Sequence, residues 1–184
     1  MNRPNEWTVH ESPLGPLTVC AGPSGISGVG FPGRPPRLDG AVRRPMTAAT
    51  DQLDQYFASE RKEFELPLDL AGSPLQELVW ARLRRIPYGS TVSYGELAAG
   101  IEESVFPDGL EPYQRVRAAA AAVGQTPTPI LVPCHRVIGA DGSLTGYGGG
   151  LDRKRALLEL EGCEIADLDS RAKTRREKDQ LALL

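Results

Sequence analysis

Residues 73–99 read SPLQELVWARLRRIPYGSTVSYGELAA, a stretch with two helix starts and one helix stop. Ser73 with Gln76 three residues on forms a capping box, and Pro74 takes the first helical position. Leu75, Leu78, Val79, Leu83 and Ile86 then recur at helical spacing until Pro87 and Gly89 end the run. Ser93 with Glu96 is a second capping box and predicts a helix over 94–99. Downstream, 112–123 reads as a third helix with alanine at every position from 118 to 122, and residues 130–132 read as a short buried strand. A last helix from about 152 buries Ala156, Leu157 and Leu160, with Gly162 as its cap. Upstream, the alternating or apolar runs 7–10, 17–21 and 26–31 predict strands separated by Pro and Gly. Residues 31–46 predict a loop, and 46–59 a helix with Ala49, Leu53, Tyr56 and Phe57 on one face. Phe64, Leu66 and Leu68 alternate as a further strand. The expected fold is α+β: a small N-terminal sheet-plus-helix domain (1–72) packed on a mostly helical C-terminal domain (73–162), with a charged tail (163–184).

With 40% hydrophobic and 24% charged residues the chain can build a core, which excludes wholesale disorder. No apolar run is long enough for a membrane span, and the N-terminal MNRPNEWTVH lacks the apolar stretch of a secretory signal. Three widely spaced cysteines, Cys20, Cys134 and Cys163, argue against a disulfide framework and for a reducing, cytoplasmic setting. A net charge of −3 by itself disfavours nucleic acid. The arginines cluster, however, at 82, 84 and 85, at 115 and 117, and with Lys154 at 153 and 155, and such clusters can build a basic face. The helix pair 94–99 and 112–123 has a helix-turn-helix pattern, which many helical domains share.

Pro133-Cys134-His135-Arg136 follows the apolar run directly. A thiol beside an imidazole and a guanidinium is a candidate nucleophile, and a buried structural cysteine is the competing reading of the same residues. Neither the cysteines nor the two histidines have zinc-ligand spacing, so no metal is expected.

Pro133-Cys134-His135-Arg136-Val137-Ile138-Gly139 resembles the active-site signature of the O6-alkylguanine-DNA alkyltransferases, the methylated-DNA–protein-cysteine methyltransferases. The resemblance spans roughly residues 7–162: Ser12-Pro13-Leu14-Gly15-Pro16, Tyr56-Phe57, Phe64-Glu65-Leu66-Pro67-Leu68, Ile86-Pro87-Tyr88-Gly89, Ser93-Tyr94-Gly95-Glu96, and Gly146-Tyr147-Gly148-Gly149-Gly150 all occur in order.

That resemblance implies direct-reversal DNA repair without a cofactor. Cys134 would take the alkyl group from O6-alkylguanine irreversibly, in one turnover, with O4-alkylthymine an open second lesion. His135 would act as the base through a bound water, and Glu161 would orient that histidine. The partner would be duplex DNA held through the minor groove by a monomer, with the lesion flipped out of the stack. Arg117 would fill the gap left behind, with the small residues Ala118 and Ala120 facing the groove, and Tyr94 would crowd the adjacent phosphate. Tyr147, Gly148 and Gly149 would cover the base pocket, and the Val137 carbonyl would meet the base's amine.

Three departures from the family pattern stand out. Thr126-Pro127 replaces the usual Asn-Pro, and a hydroxyl cannot reproduce the two-sided bonding of an amide, which predicts a looser link between DNA contact and acceptor. Ala120 and Ala121 replace helix glycines. The connection before Arg117 is longer and contains Phe106-Pro107-Asp108-Gly109, which reads either as a determinant of lesion range or as a neutral surface insertion. The alternatives to repair are a non-enzymatic alkyl-lesion-binding protein, which the presence of Cys134 disfavours, and an unrelated DNA-binding regulator or thiol hydrolase.

Overall fold

The computed structural model describes residues 4–163. The charged tail expected over 163–184 therefore lies, beyond Cys163, outside the described residues. The fold is mixed α+β. It opens with β1 (Glu6–His10), β2 (Leu17–Gly22) and β3 (Gly25–Gly30), an antiparallel meander. β4 (Val42–Arg43) adds to the other edge of β1 in parallel, giving the order β3-β2-β1-β4. This edge strand falls inside the segment expected to be a loop. It is two exposed residues long, too short to show any alternation in sequence.

In β1 the residues turned inward are Thr8 and His10, and His10 stacks on Phe57. Trp7 lies on the other face beneath the Arg43 guanidinium, 5.4 Å from the ring centroid. Helix α1 (Thr47–Phe57) packs Ala49, Leu53 and Tyr56 against Leu17, Val19, Ile26 and Val29 of the sheet. The strand expected at 64–68 does not form. Only Leu68 bridges to Ile26, through Ile26 N–H to Pro67 O at 2.8 Å and Asp69 N–H to Ile26 O at 2.9 Å. Pro67 has no N–H to continue a ladder, so Phe64 and Leu66 contribute packing alone.

Helix α2 (Pro74–Leu83) begins on the expected box, with Gln76 N–H donating to Ser73 Oγ and Ser73 N–H to Gln76 Oε1. After β5 (Val92–Ser93), helix α3 (Tyr94–Ala99) repeats the device with Ser93 and Glu96. Helix α4 (Pro112–Gly124) packs on both α2 and α3. Its alanine run favours the helix and lets the backbones approach: Ala119, Ala122 and Val123 are buried, and the Trp80 indole donates to Ala122 O at 3.0 Å. The long connection before α4 is anchored in this core by buried Phe106, with Leu110 packed against it. Arg115 clamps it further, donating to Leu110 O and pairing with Glu103.

The run 130–132 is buried but is a turn and not the expected strand. Pro129 and Pro133 bracket it and supply no N–H, while Val132 N–H folds back on Thr128 O at 2.9 Å. Ile130 sits at φ 76°, an unfavourable backbone region for a β-branched residue, and is held there by burial. A 3₁₀ turn over 134–136 follows, then β6 (Val137–Ile138), which pairs in parallel with β5. Helix α5 (Leu151–Leu160) ends as expected at Gly162, φ 78°, with Gly162 N–H on Glu159 O and Cys163 N–H on Leu158 O, a Schellman closure. The core under the sheet is completed by Ile130, Leu131 and Leu157, so the two halves of the chain share it.

Removing the α3 cap with Ser93→Ala is expected to cost about 1 kcal/mol. Urea unfolding would show this as a lower midpoint at unchanged slope.

Candidate functional site

The 3₁₀ turn places three successive side chains about 120° apart. Cys134 lines a cavity, while His135 and Arg136 converge on Glu161 from the end of α5. All four residues are buried.

The Glu161 carboxylate is the hub. Oε1 lies 2.9 Å from His135 Nε2 and accepts from Arg136 Nη2 at 2.8 Å and from the Tyr56 hydroxyl at 2.7 Å. Oε2 accepts from Arg136 Nε at 2.8 Å and more distantly from Gly89 N–H. Arg136 is itself fixed by donating to Ile86 O at 2.6 Å and by lying over the Tyr88 ring. Burial pushes the Glu161 carboxyl up, but the hydrogen bonds and charges of His135 and Arg136 outweigh it and hold the group at about 2. An ionised carboxylate only accepts, so His135 Nε2 carries the ring proton and Nδ1 the lone pair. Nδ1 is buried and has no protein partner. Burial pulls His135 below its ordinary value against the opposing pull of Glu161, leaving a neutral imidazole near pH 7. A neutral ring with an open lone pair is a base.

Burial pushes the Cys134 thiol up to about 11, opposed by a hydrogen bond with the Thr126 hydroxyl and by the charge of Lys154. The Thr126 hydroxyl donates to Val123 O at 2.8 Å, at the end of α4. Lys154 is fully buried and donates to the carbonyls of Val137 and Thr145. Burial lowers its ammonium to about 8, and Cys134 opposes that shift. Lys154 is thus turned into the core and adds no charge to a basic face, while Arg153 and Arg155 are half-buried. Arg153 pins the neighbouring loop by donating to Gly149 O and Leu14 O.

The cavity beside Cys134 has a volume of about 630 Å³. Phe31 and Arg34 from the sheet-bearing half wall it on one side, and Tyr147 and Gly148 on the other. Arg34 donates to Gly148 O at 3.1 Å. Tyr147 packs edge-on to Phe31, and its hydroxyl is buried without a partner. Gly149 has to be glycine, because a Cβ there would meet the Phe31 and Tyr147 rings at 2.7 Å. Tyr94 donates to Gly146 O at 3.0 Å, and burial together with the nearby Cys134 raises its hydroxyl. The Val137 carbonyl already accepts from Lys154, which leaves it one lone pair.

Arg117 is exposed on α4, with Ala118 and Ala120 half-buried beside it. No hydrogen bond or ion pair brings Arg117 to the Cys134 cluster in the described residues. Sequence reading missed Tyr56 and Lys154 as members of the site and left Arg136 without a function. For Lys154 a signal existed: it shares the α5 face of Leu157 and Leu158, an apolar stripe where a solvated lysine is out of place. Among the described residues no group of three or more His, Cys, Asp or Glu side chains could hold a metal ion, and no helix is long and apolar enough to cross a membrane.

Two family models match the chain. One is described as the 6-O-methylguanine DNA methyltransferase ribonuclease-like domain, over residues 6–70, and the other as the 6-O-methylguanine DNA methyltransferase DNA binding domain, over residues 74–163. A methylated-DNA–protein-cysteine methyltransferase of Mycobacterium bovis is 45% identical over 163 residues, covering 82% of this chain and 88% of the relative. One from Methanosarcina acetivorans is 39% identical over 161 residues, covering 85% and 97%. The crystal structure of Mycobacterium tuberculosis OGT in complex with DNA superposes with a TM-score of 0.74 at 42% identity, covering 89% of this chain and 98% of that one.

Glu161→Gln leaves Arg136 buried without its counter-charge and is expected to cost roughly 3–5 kcal/mol. The folded-state value of Glu161, about 2, lies below the ordinary 4.5. Its contribution to stability is therefore complete above about pH 4.5 and is lost as the pH falls toward 2. Urea midpoints measured across that range should fall steeply for the native protein and less steeply for the variant.

Proposed function

The chain belongs to the methylated-DNA–protein-cysteine methyltransferase family, and from that premise we propose that it repairs DNA by moving an alkyl group from O6-alkylguanine to Cys134. The observation that carries this assignment is the pairing of His135 Nε2 with Glu161, which leaves a buried Nδ1 lone pair next in sequence to a buried thiol.

A thiol pushed up to about 11 is almost wholly protonated at pH 7, so it needs a base at the moment of attack. His135 Nδ1 takes the proton through a bridging water, and Glu161 stabilises the imidazolium that forms. The Cys134 sulfur then forms a bond to the alkyl carbon as the carbon–O6 bond breaks, with its electron pair going to the guanine oxygen. The result is a thioether, which ends the protein's activity after one event. The Lys154 ammonium favours the thiolate, and the unpartnered Tyr147 hydroxyl is placed to donate to the departing oxygen.

DNA contact is assigned to α3 and α4 acting as a helix-turn-helix on the minor groove. Arg117 enters the gap left by the flipped base, Ala118 and Ala120 let the helix approach the narrow groove, and Tyr94 crowds the adjacent phosphate. The loop carrying Tyr147, Gly148 and Gly149 covers the base, whose amine meets the Val137 carbonyl. The protein acts as a monomer in a reducing compartment, and the domain boundary falls at residues 72–73. Binding without transfer is the weaker reading, since the acceptor thiol is present with its base beside it.

Duplex DNA bearing radiolabelled O6-methylguanine should leave its label on Cys134, one per molecule. Cys134→Ala should take up none, and His135→Ala should slow transfer by roughly 10²- to 10⁴-fold. Turnover well beyond one event, or label that persists in Cys134→Ala, would contradict the assignment. Arg117→Ala should slow transfer from duplex DNA while leaving reaction with the free base O6-methylguanine unchanged.

A further inference from the structure

Tyr56 belongs to α1, in the sheet-bearing half of the chain, and has no part in the steps above. Its side chain is fully buried, with its ring against Phe57, Phe64 and Tyr88. Its hydroxyl donates at 2.7 Å to Glu161 Oε1, the same oxygen that His135 Nε2 meets at 2.9 Å. We propose that Tyr56 is a positioning residue for the acceptor: by sharing Glu161 Oε1 with His135, its hydroxyl fixes the carboxylate and limits how strongly that carboxylate draws a proton onto the imidazole.

The physical ground is competition for one anionic oxygen. Each hydrogen bond to a carboxylate spreads its charge and makes it a weaker base toward its other partners. Among the described residues, the charged or titratable groups facing the His135–Glu161 pair are Arg136, Lys154, Tyr56, Tyr147, Cys134 and Cys163, with Tyr88 against Tyr56 and Arg136, and Gly89 N–H as a further donor. Of these, only Tyr56 comes from the sheet-bearing half. Without its hydroxyl, Glu161 would hold the imidazolium more tightly. His135 would then carry a proton at higher pH, where it could no longer accept one from Cys134. The inference deepens the acceptor reading and rests on it, since it assigns the sheet-bearing half a chemical part in the transfer.

Tyr56→Phe keeps the ring and removes the hydroxyl. NMR titration of the His135 ring is direct, because His10 is the one other histidine and His10→Gln assigns the signals. In Tyr56→Phe the His135 midpoint should rise by about half a unit or more. The acid limb of single-turnover transfer should move up with it, and the plateau rate should fall about three- to tenfold. Incorporating 3-fluorotyrosine at position 56, a stronger donor of nearly the same shape, should lower the midpoint instead. Phe64→Leu loosens the same packing without touching Glu161, so it should lower the melting temperature and leave midpoint and limb in place. A His135 midpoint unmoved in Tyr56→Phe, or moved equally in Phe64→Leu, overturns the inference. A native protein whose His135 responds as described but which transfers no alkyl group would overturn the acceptor reading and leave the Tyr56–Glu161–His135 coupling standing.

Discussion

The Glu161 carboxylate gathers donors from three separated stretches of chain: Tyr56 from α1, Gly89 from the turn after α2, and His135 with Arg136 from the 3₁₀ turn. A buried anion is tolerated only where donors and opposite charge replace water. Once Glu161 is placed inside by the Schellman closure of α5, the surrounding segments are constrained to meet it. The same constraint aims the chemistry. Glu161 takes up Nε2 of His135 and leaves Nδ1 as the open nitrogen, while the bidentate Arg136 stops the carboxylate from rotating.

A second set of constraints works through backbone carbonyls. Lys154 fixes the Val137 and Thr145 carbonyls, Tyr94 and Arg34 hold those of Gly146 and Gly148, and Arg153 holds that of Gly149. The loop over the cavity is thereby tied to α3, to α5 and to the sheet-bearing half at once. Its glycines allow this close approach, and its one large side chain, Tyr147, is left with a buried hydroxyl that has no protein partner. Cys134 thus lies between the His135 turn and a loop tied at several points.

Features written in local chemistry were legible in the sequence. The capping boxes at Ser73 and Ser93, the proline starts of α2 and α4, the glycine closure after α5 and the apolar face of α1 all formed where the residues indicated. Expectations failed where proline or tertiary contact overrode an apolar pattern. Pro67 stopped a strand at 64–68, Pro129 and Pro133 turned 130–132 into a buried turn, and β4 came from two exposed residues that pair with β1. Lys154 left the basic cluster 153–155 for the core because charge counted along the chain does not show which way a helix face points.

The sequence by itself determined the mixed α+β character, the helix boundaries, and the adjacency of Cys134 and His135, because each depends on residues within a few positions of one another. Its net charge of −3 was a poor guide to partners, since an average over the chain does not register where the arginines lie. Only the tertiary structure decided that Tyr56 and Lys154 join the site and that Nδ1 is the free nitrogen of His135. Those facts depend on contacts between segments far apart in the chain. Their energies come from burial, which the order of the residues marks only at Lys154 on the apolar face of α5, and from competition for a shared oxygen, which it does not mark at all.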